Sequence, residues 1–182
     1  MNYFIYAADI NNDNYPDILL EAGSQTPNQL RLFLNVQNPS SSDKFDRVFT
    51  EITESFGINP AGTIADLAAM ADVNNDGNID IITATYYYDR LPDCNLNPDN
   101  GARCEVFLGD GKGHFSIRPG NGLHELGPIP SSGLSFPDYD NDGNIDLFIA
   151  THYSSWCDSL GYEFPNFLMR GNGDGTFTNV SE

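Results

Sequence analysis

The chain has 182 residues, 40% of them hydrophobic, which suits a packed domain and argues against intrinsic disorder. Its 26 acidic residues outweigh 8 basic ones, and a formal charge of -18 disfavours nucleic acid and anionic lipid as partners. No run of about 18 apolar residues predicts a membrane span, and no secretory signal follows Met1, as expected if one was removed or the chain is an internal piece.

The acids are 19 Asp and only 7 Glu, beside 17 Gly and 11 Pro. Asp is a turn former and a compact oxygen ligand but a poor helix former, so many turns and little helix are expected. No segment sustains a 3.6-residue apolar period.

In chain order, an apolar strand leads into the loop Asp9-Ile10-Asn11-Asn12-Asp13-Asn14-Tyr15-Pro16-Asp17. The run Ile18 to Leu20 follows, then a second run from Leu30 to Leu34 and a Ser-rich connection from Asn38 to Asp46. The small-residue run Leu67 to Ala71 suits a crowded inner strand. It leads into a second loop, Asp72 to Asp80, and the apolar stretch Ile81 to Thr85. An aromatic insertion comes next, with Tyr86, Tyr87, Tyr88 and Arg90. The run Cys104 to Leu108 then meets a Gly-rich turn, Gly109 to Phe115. The third loop, Asp138 to Asp146, is followed by Leu147 to Thr151. Beyond it lies an insertion with His152, Tyr153, Trp156, Tyr162 and Phe164, a run from Asn166 to Met169, and a second Gly turn, Gly171 to Phe177.

The loops begin at residues 9, 72 and 138, so the chain is a repeat of about 65 residues. Each repeat reads as four short strands, A to D, with the Asp loop joining A to B and the Gly turn joining C to D. That predicts an all-β fold: a β-propeller segment of three four-stranded blades, at about 1–60, 61–127 and 128–182.

Oxygen side chains recur at loop positions 1, 3, 5 and 9: Asp9, Asn11, Asp13 and Asp17; Asp72, Asn74, Asp76 and Asp80; Asp138, Asp140, Asp142 and Asp146. Calcium takes six to eight oxygens, and position 7 adds a carbonyl from Tyr15, Asn78 or Asn144. Gly77 and Gly143 at position 6 permit a sharp turn with positive φ. Asn14 and Pro16 make the first site the weakest of three expected calcium sites. An EF-hand is excluded, because position 12 is Leu20, Thr83 or Ile149 rather than Glu. Zinc is disfavoured by the absence of Cys and His from the loops. The competing reading is an Asx-rich turn that binds nothing, and three copies in register count against it.

The motif Asp-x-Asp/Asn-x-Asp-Gly-x-x-Asp, an apolar strand and a Gly-Asn-Gly-Asp-Gly-Thr-Phe turn together resemble the FG-GAP/VCBS repeat. The resemblance covers essentially the whole chain. It implies a calcium-binding β-propeller similar to that of integrin α subunits. No Gly-Ala-Pro tripeptide is present, and Pro60-Ala61-Gly62 only echoes it. The family usually has about seven blades. A fragment of a longer propeller, or a chain whose neighbours cover its open edges, is therefore expected.

The B–C insertions lie at the end opposite the calcium loops. Tyr86, Tyr87, Arg90, His152, Tyr153 and Trp156 make that end the expected surface for a protein or glycan ligand. Packing between blades is the alternative for these rings. Cys94 and Cys104 bracket the second insertion, and a disulfide between them would fit an oxidising compartment. The functional expectation is an extracellular, secreted or cell-surface binding and adhesion module without catalytic activity; a periplasmic location is also open. A lectin-like propeller and part of a secreted polysaccharide-active enzyme are the alternatives. Neither a Gly-x-Ser-x-Gly elbow nor a His-Glu-x-x-His motif is present. The run His152, Ser154, Ser155, Cys157 and Asp158 matches no catalytic spacing.

Overall fold

The computed structural model describes residues 4–22, 29–53, 56–57, 67–85, 103–127, 129–151 and 164–182. These residues form twelve strands. They are β1 (Ile5–Ala8), β2 (Asp17–Ala22), β3 (Gln29–Gln37), β4 (Arg47–Glu51), β5 (Leu67–Ala71), β6 (Asp80–Ala84), β7 (Glu105–Gly109), β8 (Phe115–Ile117), β9 (Ser131–Ser135), β10 (Leu147–Thr151), β11 (Phe167–Gly171) and β12 (Phe177–Asn179). A 3-10 turn spans His124–Leu126.

The strands make three antiparallel sheets, each a meander in chain order: β1-β2-β3-β4, β5-β6-β7-β8 and β9-β10-β11-β12. This is the all-β, four-strands-per-repeat architecture expected from the spacing. The registers match from sheet to sheet. Ala8 faces Asp17 and Ala71 faces Asp80. Asn35, Gly109 and Gly171 face Phe49, Phe115 and Phe177. The first strands of the sheets lie side by side, β1 against β5 and β5 against β9. Ala68, Ala69 and Ala71 give β5 the small side chains that suit this central place.

The cores lie between sheets rather than inside them. Ile10, Leu19, Leu30, Leu32 and Phe56 of the first sheet meet Ala68, Ile81, Phe107 and Phe115 of the second. Val73, Ile82, Val106 and Leu123 of the second meet Leu147, Ile149, Met169 and Phe177 of the third. β6 is buried along its whole length because Ile81 serves one core and Ile82 the other. Burial of each such side chain is worth about 1.5–3 kcal/mol.

The outermost faces lack this cover. Phe148 occupies the register of Leu19 and Ile82, two residues past the ninth-position Asp, yet is 37% exposed where they are 1%. Tyr139 likewise stands where Ile10 and Val73 are buried and is 43% exposed. At the other end, Phe49 stands in the register of Phe115 and Phe177 and is 52% exposed. Among the described residues no helix is long and apolar enough to cross a membrane.

Candidate functional site

The three Asp loops share one hydrogen-bond pattern, bond for bond. The amide at position 5 donates to the side chains at positions 1 and 3: Asp13 to Asp9 and Asn11, Asp76 to Asp72 and Asn74, Asp142 to Asp138 and Asp140. The amide at position 6, from Asn14, Gly77 or Gly143, donates to the second oxygen of position 1. The amide at position 7 returns to position 5, Tyr15 to Asp13, Asn78 to Asp76 and Asn144 to Asp142. These are Asx turns in series, and they turn the alternate oxygen side chains of the loop inward. Position 6 has positive φ in every loop: 67° at Asn14, 85° at Gly77 and 86° at Gly143.

The ninth-position carboxylates are fully buried, and each joins its loop to strand three of its own sheet. One oxygen of Asp17, Asp80 and Asp146 accepts the position 2 amide of Ile10, Val73 and Tyr139. The other accepts the amide of Asn35, Gly109 and Gly171, at 2.8, 2.9 and 2.8 Å. Burial pushes the Asp80 carboxyl up to about 6, against the pull of the Gly109 and Val73 amides. Burial raises Asp17 as well, opposed by the Asn35 and Ile10 amides. A carboxylate held this way lacks counter-charge, which a cation would supply.

In the third loop, oxygens of Asp138, Asp140 and Asp146 all lie within 4.8 Å of one another. Ligands on opposite sides of a calcium ion sit roughly 4.6–5.2 Å apart, twice the usual Ca–O distance. The donor set is entirely hard oxygen, so a hard divalent cation fits it and a thiophilic metal does not.

The first loop differs. Arg47 of β4 points its guanidinium into it: one nitrogen donates to Asp13 Oδ2 at 3.3 Å, and the group lies 3.3 Å from the centroid of the Tyr15 ring. Asn35 holds Arg47 through its own Oδ1 and main-chain oxygen, and donates to Pro16 O.

Position 4 carries a feature that the ligand pattern did not single out. Asn12, Asn75 and Asn141 all have φ of 58°. Asn12 Nδ2 donates to Asn78 Oδ1, and Asn75 Nδ2 to Asn144 Oδ1, each at 2.9 Å. Position 4 of one loop thus clasps position 7 of the next. The Gly turns lie beneath the clasps: a Cβ at Gly111 would come within 2.1 Å of Asn78 Oδ1, and one at Gly173 within 2.4 Å of Asn144 Oδ1. The Asp loops and the Gly turns therefore share one end of the fold. Recurrent Asn at the fourth position was the available signal, since Asn is the residue type other than Gly that most readily adopts this conformation.

Tyr86, Tyr87, Arg90, His152, Tyr153 and Trp156 lie outside the described residues, as does Cys94. The expected Cys94–Cys104 bridge is corrected: Cys104 is a free, buried thiol 3.9 Å from Ser131 Oγ. It packs in the core between the second and third sheets, and burial pushes its thiol up to about 12. Cys104 immediately precedes β7 and its side chain turns into that core, which sequesters the thiol.

Residues 9–83 match the family model of the FG-GAP-like repeat. No curated protein matches the chain.

Proposed function

Because residues 9–83 match the family model of the FG-GAP-like repeat, we propose that the protein is part of a calcium-stabilised β-propeller acting as a non-catalytic extracellular binding module. The observation that carries this is the third loop, where oxygens of Asp138, Asp140 and Asp146 lie within 4.8 Å of one another, in a hydrogen-bond pattern that the other two loops share. In the second and third loops, Asp72, Asn74, Asp76 and Asp80, and Asp138, Asp140, Asp142 and Asp146, would hold the ion, with the carbonyls of Asn78 and Asn144. Calcium there would neutralise the loops and fix the hairpins that the Asn clasps join. Millimolar extracellular calcium suits sites of roughly 10⁻⁴–10⁻³ M affinity. Two ions would move the formal charge from -18 to -14.

The uncovered Phe148, Tyr139 and Phe49 support a propeller with further blades, since each repeats a position buried elsewhere. The end opposite the Asp loops would carry the ligand, a protein or a glycan, on the insertions that include Arg90 and Trp156.

The test is a thermal melt in calcium, in magnesium and in chelator. A rise with calcium alone supports selective sites, by linkage of folding to ion binding. A cooperative melt that is identical in all three would overturn the calcium reading and leave the loops as turns.

A further inference from the structure

We infer that Arg47 is the resident cation of the first Asp loop, so that this loop is held by a guanidinium where the other two are open to a metal ion. The inference rests on the calcium reading for those two loops, and departs from it for the first. Asp9, Asn11, Asp13 and Asp17 keep the same inward arrangement as their counterparts. What differs is the positive charge already delivered to Asp13. Arg47 is only 15% exposed, donates to Asp13 Oδ2 at 3.3 Å, and stacks on Tyr15 at position 7. A planar guanidinium can bond a carboxylate with its edge and a ring with its face at once.

The repeat register explains why only this loop has such a group. Arg47 stands two residues before Phe49, which faces Asn35. The corresponding residues before Phe115 and Phe177 are Gly113 and Gly175, which have no side chain. Neither could gain one easily, because a Cβ at Gly113 would come 2.9 Å from Phe56 and one at Gly175 2.8 Å from Leu108. The first repeat also replaces the strand glycine of Gly109 and Gly171 with Asn35, and Asn35 anchors Arg47. Its position 7 is Tyr15, which Arg47 covers, where the other loops have the clasp residues Asn78 and Asn144. Four departures from the repeat, Tyr15, Pro16, Asn35 and Arg47, are joined in one contact network. An ion entering this loop would meet a like charge beside a required ligand.

The test is calcium titration by calorimetry, with melts in chelator, on the chain and on Arg47→Met and Arg47→Lys. The expected result is two ions bound by the unaltered chain and by Arg47→Lys. Arg47→Met is expected to bind a third, at least 10-fold tighter than any third event in the unaltered chain. Three equivalent ions in the unaltered chain, or no gain in folded Arg47→Met, would overturn the inference. If neither protein binds calcium, the calcium reading fails on its own account and the chelator melts decide about Arg47. Arg47→Met melting about 2–4 °C below Arg47→Lys upholds it, and equal melts overturn it. Should Arg47→Met not fold, Asp13→Asn is added. Recovery of folding upholds the inference, because the unpaired carboxylate was the fault, and no recovery overturns it.

Discussion

Asn75 Nδ2 donates to Asn144 Oδ1 at 2.9 Å, joining residues 69 positions apart across the boundary between the second and third sheets. Asn12 and Asn78 make the same bond one boundary earlier. Asn141 holds the same φ of 58° and is exposed. Asn75→Ala and Asn141→Ala both place Ala at a left-handed φ and share that backbone cost. Asn75→Ala is expected to lose about 0.5–1.5 kcal/mol more than Asn141→Ala, the net worth of one such bond. Chemical denaturation of both variants checks the difference, and equal losses would show that the bond contributes nothing.

Gly173 should tolerate no side chain. Its φ is 75°, and a Cβ there would sit 2.4 Å from Asn144 Oδ1. Gly143 has a φ of 86° but open space around it. Gly143→Ala therefore carries only the left-handed backbone cost of roughly 1–2 kcal/mol. Gly173→Ala carries that cost and breaks the clasp as well. Melting temperatures in chelator should rank Gly173→Ala below Gly143→Ala.

Asp146 links Tyr139 in its loop to Gly171 in β11 through two amide bonds. Asp146→Ala leaves the buried Gly171 amide and the part-buried Tyr139 amide without their acceptor, at about 1–3 kcal/mol for the buried one. The loss should persist in chelator, because the bonds do not need an ion. Asp140→Ala, at an exposed position, should show its effect mainly in calcium. A melt of both variants with and without calcium separates the scaffold role from the ligand role.

Phe148 and Ile82 share a register position but not an environment. Ile82→Ala empties a core position and is expected to cost about 2–5 kcal/mol. Phe148→Ala should cost less than half as much. Equal costs in urea denaturation would mean that the outer face of the third sheet is covered in solution.

Cys104 should resist alkylation in the folded protein. Its thiol is buried and pushed up to about 12, so little thiolate exists at neutral pH. Peptide mapping after iodoacetamide treatment should find Cys104 unmodified in buffer and fully modified in denaturant. Recovery of a Cys104 disulfide peptide from native protein would contradict the free thiol.

Much of the candidate site was legible from sequence because its bonds are local. Every bond of these turns joins residues at most five positions apart, so the spacing of Asp, Asn and Gly specifies it. The same holds for the strand pattern, since alternating apolar runs between turn residues recur at a fixed step. The role of the ninth Asp was half legible. Its place in the ligand pattern could be read, but its bond to Gly109 or Gly171 needs strand three in register.

By itself, the sequence determined the repeat, the strand-and-turn content of each unit and the inward set of oxygens, because all of these depend on neighbours within one hairpin. Only the tertiary structure decided what happens between units. Arg47 reaches Asp13 across 34 residues, and Asn12 reaches Asn78 across 66. Cys104 turns into a core, and Phe148 stays exposed where Leu19 and Ile82 are sealed. An apolar residue at a given register looks the same in every repeat. Whether it is buried depends on which sheet docks beside it, and that is set by packing between surfaces far apart in the chain.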